Sequence, residues 1–248
     1  MGEMKKYAIL LTLAACGQPH KKVEAPTQLA AHQPSPPLPG LEHGLCQSPI
    51  NIVTSRVDGG THSVSMRYFA SQEKVVNKGH TIEVDFDPGS YLEFDGSIYD
   101  LKQFHFHTPS EHLIDSKSYP MEMHIVHIRR ETQAGGPPHY LVIGSMFNEE
   151  NESAFLNKFL SDVPKTAHAS NVPLHKVVEL TDLFPDGLQK YYSYKGSLTT
   201  PPYSETVSWL VLKNEFDASS KQISTIRNLE GENARRIQAP AGRTVEEN

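Results

Sequence analysis

The sequence has little cysteine, no long apolar run and no cluster of positive charge, and each shortage excludes a class of protein. Cys16 and Cys46 are the two cysteines among 248 residues, too few for a disulfide framework or a cysteine-rich structural metal site. The net charge is −6, and lysines and arginines stand together at most in adjacent pairs. This charge distribution argues against a nucleic acid partner. We find no internal repeat.

The N-terminal region predicts an exported protein. Two lysines precede an apolar run over residues 7–15, which is too short to span a bilayer and is typical of a signal-peptide core. The sequence Leu-Ala-Ala-Cys at 13–16 resembles a bacterial lipobox, so we predict a signal peptide over residues 1–16 with Cys16 lipidated. Ordinary signal cleavage or an unmodified buried thiol is the alternative. Gly17 stands where Asp marks retention in the inner membrane of enteric bacteria, so the expected location is the periplasmic side of the outer membrane.

Residues 17–44 are expected to form a disordered tether. They contain six of the 18 prolines and few large apolar residues, a composition that does not bury a core. A spacer is at least as good an interpretation as a ligand for a proline-binding domain. The remaining residues, 45–248, suit one domain of roughly 200 residues with a sizeable core.

Short apolar runs in this domain predict strands more often than helices. The strand predictions cover residues 81–86, 125–128, 140–143 and 207–212. Helical spacing of apolar residues is confined to 153–160 and 219–229. Periodicity alone therefore predicts a β-rich single domain.

Three histidines in this β-rich region are spaced to hold one metal ion. Side chains alternate along a strand, so His105 and His107 point to the same face. The turn-rich residues that follow can reverse the chain and bring His124 opposite them. With 13 histidines in 248 residues, roughly 0.7 His-x-His pairs are expected by chance, so that pair alone is weak. Three imidazoles, however, leave the fourth position of Zn²⁺ open, as in catalytic zinc sites.

Two polar residues beside these histidines strengthen the prediction. Gln103 and Glu122 each precede a histidine by two residues and therefore share its face of the strand. Each can accept a hydrogen bond from the ring nitrogen that does not bind the metal, which orients the ring.

Several motifs together resemble the α-class carbonic anhydrases. These are Phe-His-Phe-His at 104–107, Pro-Ser-Glu-His at 109–112, Glu-Met-His at 122–124 and Ser-Leu-Thr-Thr-Pro-Pro at 197–202. Gln-Ser-Pro-Ile at 47–50 and Asn-Lys-Gly-His at 77–80 also match, in order. The resemblance extends from about Cys46 to Val245.

The resemblance implies a fold, an activity and a cofactor. The fold would be a single domain, mainly β with short helices, on a large, mostly antiparallel twisted central sheet. The activity would be that of a zinc lyase: reversible hydration of CO₂ to bicarbonate and a proton, by attack of zinc-bound hydroxide, with esterase activity as a side reaction. His105, His107 and His124 would hold the Zn²⁺. The sequence leaves the oligomeric state open.

The resemblance also implies roles for residues around the metal. Thr199 would accept a hydrogen bond from the hydroxide and donate one to Glu111, Thr200 would contact the product, and His80 would shuttle protons. Asn233 would offer its backbone carbonyl to His107. An apolar wall for CO₂ would consist of Val126, Val142, Leu198, Val207 and Trp209, and His112, Tyr194 and Glu122 would form a supporting network.

Two departures from the family pattern are apparent. The segment rich in tryptophan and tyrosine that usually begins the domain is missing, since residues 18–45 contain no aromatic residue; proton transfer and stability are the properties it would affect most. Tyr203 stands where secreted relatives have a second cysteine. Cys46 is then a free thiol, an intermolecular disulfide or, the preferred interpretation, a buried inert cysteine.

An alternative from another functional class is a surface-anchored binding module without catalysis, as in relatives that have lost a zinc histidine. All three histidines are present here.

Overall fold

The computed structural model describes residues 44–131, 135–188 and 190–248. The predicted signal peptide, the lipidation site Cys16 and nearly all of the predicted tether lie outside these residues. In the described part of the chain, no helix is both long enough and apolar enough to cross a membrane.

Strands dominate the structure, and most are short. In chain order they are β1 Asn51–Ile52, β2 Asp58–Gly59, β3 Val64–Arg67, β4 Ser71–Gln72, β5 Lys74–Asn77, β6 Ile82–Asp85, β7 Tyr91–Phe94, β8 Ser97–His107, β9 Leu113–Ile114, β10 Met121–Arg129, β11 Tyr140–Glu149, β12 Ser170–Asn171, β13 Val177–Val178, β14 Tyr191–Gly196, β15 Val207–Leu212, β16 Phe216–Ala218 and β17 Glu246–Glu247.

Thirteen of these strands form one mixed sheet within the described ranges. Its main order is β12-β5-β6-β8-β10-β11-β15-β14-β17-β2, with β7 beside β8, β3 beside β7 and β16 beside β11. Strand β11 runs parallel to β15 and β16, and β17 runs parallel to β2, whereas the other neighbours are antiparallel. Two small sheets, β1-β9 and β13-β4, flank it.

The longest strands, β8, β10 and β11, lie together near the middle of the sheet. Alternation along β8 and β10 divides their side chains between the two faces. Phe104, Phe106 and Ile125 enter the larger apolar core on one face. The opposite face carries the histidines, beside a smaller apolar cluster that includes Val142 and Trp209. The central strands therefore supply core residues with one face and polar site residues with the other.

Two α-helices are present in the described residues: α1, Ala154–Asn157, and α2, Ser220–Glu230. The Ser153 hydroxyl accepts a hydrogen bond from the Leu156 amide and caps α1. Ser219 and Gln222 form a capping box that starts α2, in which side chain and backbone satisfy each other's free groups. A 3₁₀ turn over Leu160–Asp162 follows α1.

The fold class predicted from the sequence is confirmed: a single, mainly β domain with short helices and a large, mostly antiparallel sheet. The four predicted strands correspond to parts or all of β6, β10, β11 and β15, and both predicted helices are present. The expectation of a buried Cys46 is wrong, because this free cysteine is partly exposed. Its neighbour Leu45 is 78% exposed, so the chain at this point lies on the surface.

Candidate metal centre

The register of the two central strands brings the predicted metal ligands together. In the antiparallel pair β8 and β10, His124 lies opposite His105, and Glu122 lies opposite His107. The ring centroids of the three histidines are 4.5 to 5.3 Å apart. Ring nitrogens from all three lie within 4.8 Å of one another, close enough to hold one metal ion.

In His105 and His124, a hydrogen bond at one ring nitrogen determines that the other nitrogen is the one that can bind a metal. Gln103 Oε1 lies 2.9 Å from Nδ1 of His105, and Glu122 Oε1 lies 2.8 Å from Nε2 of His124. Both partners accept, so these nitrogens carry the protons. The lone pairs are then on Nε2 of His105 and Nδ1 of His124, as a metal site requires.

His107 provides the test of whether these residues fit a metal ion. The ring is 3% exposed, and neither of its nitrogens has a hydrogen-bond partner of acceptable geometry. Unpaired buried polar atoms are unfavourable. The backbone of Asn233 lies near enough to favour a proton on the ring, which is consistent with the predicted contact. The other ring nitrogen of His107 has no partner among the described residues and is therefore available to a metal ion. Three imidazoles are a donor set that suits Zn²⁺.

The electrostatics of the site keep the histidines neutral. Burial lowers the pKa of His107 to about 4 and lowers that of His105 well below its usual value. Burial also lowers the pKa of His124, although the Glu122 carboxylate partly offsets the effect. Neutral imidazole is the form that binds metals, so the rings are already in the binding state at neutral pH.

Glu122 is hydrogen-bonded to a second group of residues, next to the three histidines. Its Oε2 accepts hydrogen bonds from the backbone amides of Glu111 and His112, each at 2.8 Å. Its Oε1 lies 2.7 Å from Nδ1 of His112, whose Nε2 lies 2.6 Å from the Tyr194 hydroxyl. Burial opposes ionisation of Glu122, but its interactions with His112 and His124, which donate hydrogen bonds to it, outweigh burial and hold the pKa well below its usual range.

His112, Glu122 and His124 also lie close enough together to hold a metal. Both nitrogens of His112 are engaged by Glu122 and Tyr194, however. The group is therefore the supporting network expected from the sequence, and the free lone pairs converge on the side of His105 and His107.

Glu111 and Thr199 lie together next to this group. Both are buried, and Thr199 lies near enough to Glu111 to favour its ionised form, while Oε2 of Glu111 has no hydrogen-bond partner among the described residues. Oε1 of Glu111 accepts from the Arg235 amide at 2.8 Å and lies 3.5 Å from Nδ1 of His107. Burial nonetheless raises the pKa of Glu111 to about 7.

The residues predicted to form the apolar wall belong to one cluster. Val142, Val207 and Trp209 are buried in it, and Val126 and Leu198 pack against it partly exposed. The Trp209 ring lies 4.8 Å from that of His124 between centroids. The cluster thus extends to the edge of the histidine group.

The remaining two predicted residues are exposed. His80 lies in the turn between β5 and β6, and its backbone carbonyl accepts a hydrogen bond from the Asn233 side chain, which also contacts the Phe106 carbonyl next to His105 and His107. Thr200 is on the loop between β14 and β15, next to Thr199.

A glycine opposite His124 was not identified from the sequence. Gly144 on β11 pairs with His124, and a Cβ atom placed there would lie 2.9 Å from Glu122 Oε1. The carboxylate that orients His124 therefore occupies the space where any other residue would have a side chain.

A buried carboxyl group near the histidines was also missed. Glu230, the last residue of α2, is 6% exposed, and burial raises its pKa to about 8. The sequence could have indicated its burial, because helical spacing puts Glu230 on the same face as the apolar residues Ile223 and Ile226, which are buried.

The raised pKa predicts a pH-dependent stability. In the unfolded chain Glu230 ionises near its ordinary pKa of 4.5, whereas in the folded protein it keeps its proton until about pH 8. The stabilising contribution is complete below pH 4.5 and is lost as the pH rises to about 8. We expect Glu230→Gln to make the fall in free energy of unfolding between pH 5 and 8 shallower, by up to about 1.4 kcal/mol per pH unit. Urea unfolding at several pH values measures this difference, and parallel curves for the two proteins would contradict it.

Comparison with known proteins agrees with this site. The family model for eukaryotic-type carbonic anhydrase matches residues 39–248. The chain is 38% identical to a carbonic anhydrase of Neisseria gonorrhoeae over 204 residues, covering 82% of this chain and 77% of that one. It is 35% identical to a carbonic anhydrase of Pectobacterium carotovorum, covering 85% and 83% of the two chains.

Solved structures give the same result. A hyperthermostable carbonic anhydrase identified from an active hydrothermal vent chimney has a TM-score of 0.74 and 38% identity, with 82% of this chain and 88% of that chain covered. The α-carbonic anhydrase of Thermovibrio ammonificans, solved with the inhibitor sulfanilamide, has a TM-score of 0.74 and 36% identity, with 82% and 87% covered. Family model, relatives and structures agree over most of the chain, and the protein therefore belongs to the α-type carbonic anhydrases, the enzymes that hydrate CO₂ to bicarbonate.

Proposed function

We propose that this carbonic anhydrase is a zinc enzyme in which His105, His107 and His124 hold the metal. The observation that carries this proposal is the convergence of three ring nitrogens within 4.8 Å, with those of His107 buried and unpaired. Zn²⁺ held by three uncharged ligands acts as a Lewis acid that makes a nucleophile available from water at neutral pH, and carbonic anhydrase is the standard case of such a site.

Thr199 and Glu111 would orient the attacking oxygen. The Thr199 hydroxyl would donate a hydrogen bond to the unpaired Oε2 of the Glu111 carboxylate, which would leave its own oxygen available as an acceptor. That oxygen then fixes the hydrogen of the attacking group and leaves a lone pair directed at CO₂. This role needs an ionised Glu111. A metal cation held by the three histidines would favour the ionised form and so oppose burial, which raises the pKa of Glu111 to about 7.

The apolar cluster would bind the substrate. CO₂ carries no net charge and offers only weak acceptors, so an apolar wall can hold it next to the site without a specific hydrogen bond. Trp209 and Val207, both 2% exposed, and Val142, 3% exposed, give that wall a fixed shape. Thr200, exposed and next to Thr199 in the chain, would contact the bicarbonate product.

His80 would carry the released proton to solvent. His80 is exposed, and an imidazole ring can both accept and release a proton, so it can pass a proton from the site to buffer. The same site would hydrolyse activated esters as a side reaction, since the nucleophile is shared.

The zinc proposal is tested by removing and restoring the metal. The protein is stripped with a chelator, reloaded with Zn²⁺ and assayed by stopped-flow CO₂ hydration, with metal content and circular dichroism measured on each sample. We expect hydration to follow the zinc content up to one ion per chain. Folded, zinc-loaded protein without hydration would favour the alternative, a non-catalytic binding module.

We also propose that the enzyme is exported and anchored in the bacterial envelope through Cys16, with residues 17–44 as the tether. The support is the lysine-flanked apolar run over residues 7–15 and the lipobox-like 13–16. Fractionation of cells expressing Cys16→Ser tests this, because the variant should no longer sediment with the outer membrane. Unchanged sedimentation would count against the anchor.

A further inference from the structure

Glu230 occupies a position where an apolar residue is expected. Helix α2 presents Ile223, Ile226 and Glu230 on its buried face, and Glu230 is in the last turn. A carboxyl group is unfavourable there for two reasons: it is removed from water, and the C-terminal end of a helix disfavours negative charge. A side chain that breaks the pattern in this way calls for a specific contact to compensate.

The contacts of Glu230 connect two segments of the site. Its Oε2 lies 3.3 Å from the Ile82 amide and 3.5 Å from the Thr81 hydroxyl, at the start of β6. Its Oε1 lies 3.3 Å from the hydroxyl of Thr108, the residue that follows the metal ligand His107. One side chain thus touches the residues immediately after His80 and immediately after His107.

The two hydroxyl groups beside Glu230 lie closer to backbone carbonyls than to its carboxyl oxygens, an arrangement that favours a neutral acid. Thr81 donates its hydroxyl proton to the Phe106 carbonyl at 2.9 Å, and Thr108 donates its own to the Gly231 carbonyl at 3.0 Å. Their oxygens are therefore left as acceptors, and a protonated carboxyl group of Glu230 can donate to one while accepting from the Ile82 amide. The high pKa of Glu230 agrees with this assignment.

Asn233 makes a second connection between the same segments. Its side-chain amide donates to the carbonyl of His80 at 2.9 Å and to that of Phe106 at 3.0 Å, and its Oδ1 accepts from the Thr108 amide at 3.0 Å. The sequence predicted a contact from the Asn233 backbone to His107. The side chain adds a direct bridge from the His80 backbone to β8.

We propose that Glu230 is a positioning residue for proton transfer, which together with Asn233 clamps the His80 turn to the strand that carries His105 and His107. The proposal rests on the proposed role of His80 as the proton shuttle. Proton relay through water depends strongly on distance and alignment, and misplacement by about 1 Å can lower a rate about a hundredfold. An exposed turn held only by its own backbone would not keep His80 at a constant distance from the metal site.

The kinetic parameters separate this role from a general structural one. kcat/KM reports steps up to CO₂ hydration, whereas kcat also includes the proton transfer that regenerates the enzyme. Removing the clamp should therefore lower kcat by about tenfold and change kcat/KM by less than about twofold. A small imidazole buffer should restore kcat, since it delivers the proton to solvent directly.

The experiment compares zinc-loaded variants of the full chain by stopped-flow hydration. Glu230→Leu removes the Glu230 half of the clamp and leaves Asn233 in place, Glu230→Gln keeps a neutral side chain of the same shape that can both donate and accept, and the exposed Glu232→Leu is the matched control. We expect kcat to fall only in Glu230→Leu. If that variant folds poorly, Thr81→Val replaces it, because it conserves volume and deletes the hydroxyl that contacts Glu230 and the Phe106 carbonyl.

A double variant supplies the decisive comparison. In a His80→Ala background, Glu230→Leu should cause no further loss of kcat, because no shuttle remains to be positioned. If His80→Ala lowers kcat but Glu230→Leu does not, or if the two losses multiply, the clamp is refuted and the shuttle stands. If His80→Ala leaves kcat unchanged, the shuttle itself is refuted, and the clamp with it.

Discussion

Replacement of His124 by alanine is expected to abolish stoichiometric zinc binding and to lower kcat/KM for CO₂ hydration by more than about a thousandfold, well beyond the 10- to 100-fold typical for residues that only orient a ligand. Two effects combine. The variant loses one of the three converging ring nitrogens, which leaves two for the metal. It also removes a hydrogen-bond donor from the fully buried Glu122 carboxylate, and an under-satisfied buried charge is unfavourable.

The measurement is hydration kinetics together with zinc content after dialysis against a weak chelator. His139→Ala is a suitable control, because His139 is an exposed histidine of the same domain, outside the metal site. The control should keep both zinc and activity. Retention of zinc and of near-normal hydration by His124→Ala would refute the assignment of the three ligands.

A second large effect is expected from a residue that touches neither metal nor substrate. Gly144→Ala would place a methyl group 2.9 Å from Glu122 Oε1 and 3.6 Å from a Val211 methyl group. The Glu122 carboxylate cannot move away easily, because it holds two backbone amides as well as His112 and His124. We expect zinc affinity to fall about 10- to 100-fold and the free energy of unfolding to fall by about 1–3 kcal/mol.

Zinc affinity is measured by competition with a chromophoric chelator, and stability by urea unfolding of the metal-free protein. Gly59→Ala is the matched control, since the β2 position has no atom within 4 Å of the added Cβ and no positive φ. Equal zinc affinity in the two variants would show that Glu122 adapts, and that its contact with Gly144 does not fix the ligand.

Local sequence patterns predicted the parts of the site that depend on alternation along a strand. His105 and His107 share a face because they are two residues apart, and Gln103 and Glu122 reach their histidines for the same reason. The central strands and α2 also follow from their apolar spacing.

Contacts between distant segments could not be predicted in this way. Gly144 is adjacent to Glu122 only through the register of β10 and β11, and nothing in the residues around Gly144 indicates a carboxylate on the neighbouring strand. Asn233 was expected to contact His107 through its backbone; its side chain in addition spans the carbonyls of His80 and Phe106, a choice of rotamer that spacing does not determine.

The position of Cys46 was mispredicted for a related reason. A cysteine next to the buried residues 47–50 resembles a core residue in sequence. The Cys46 amide instead donates to the Glu205 carboxylate at 2.8 Å, an exposed contact, so its side chain stays partly accessible.

The division of the site between strands and loops has a consequence for how such an enzyme can change over evolutionary time. The three histidines are carried by β8 and β10, whose backbones are paired with neighbours on both sides, whereas His80, Thr199 and Thr200 lie in connecting segments. Loops accept substitutions and insertions that a central strand does not. Lineages can therefore adjust turnover, inhibitor sensitivity and substrate access by loop variation while inheriting the metal-binding geometry unaltered.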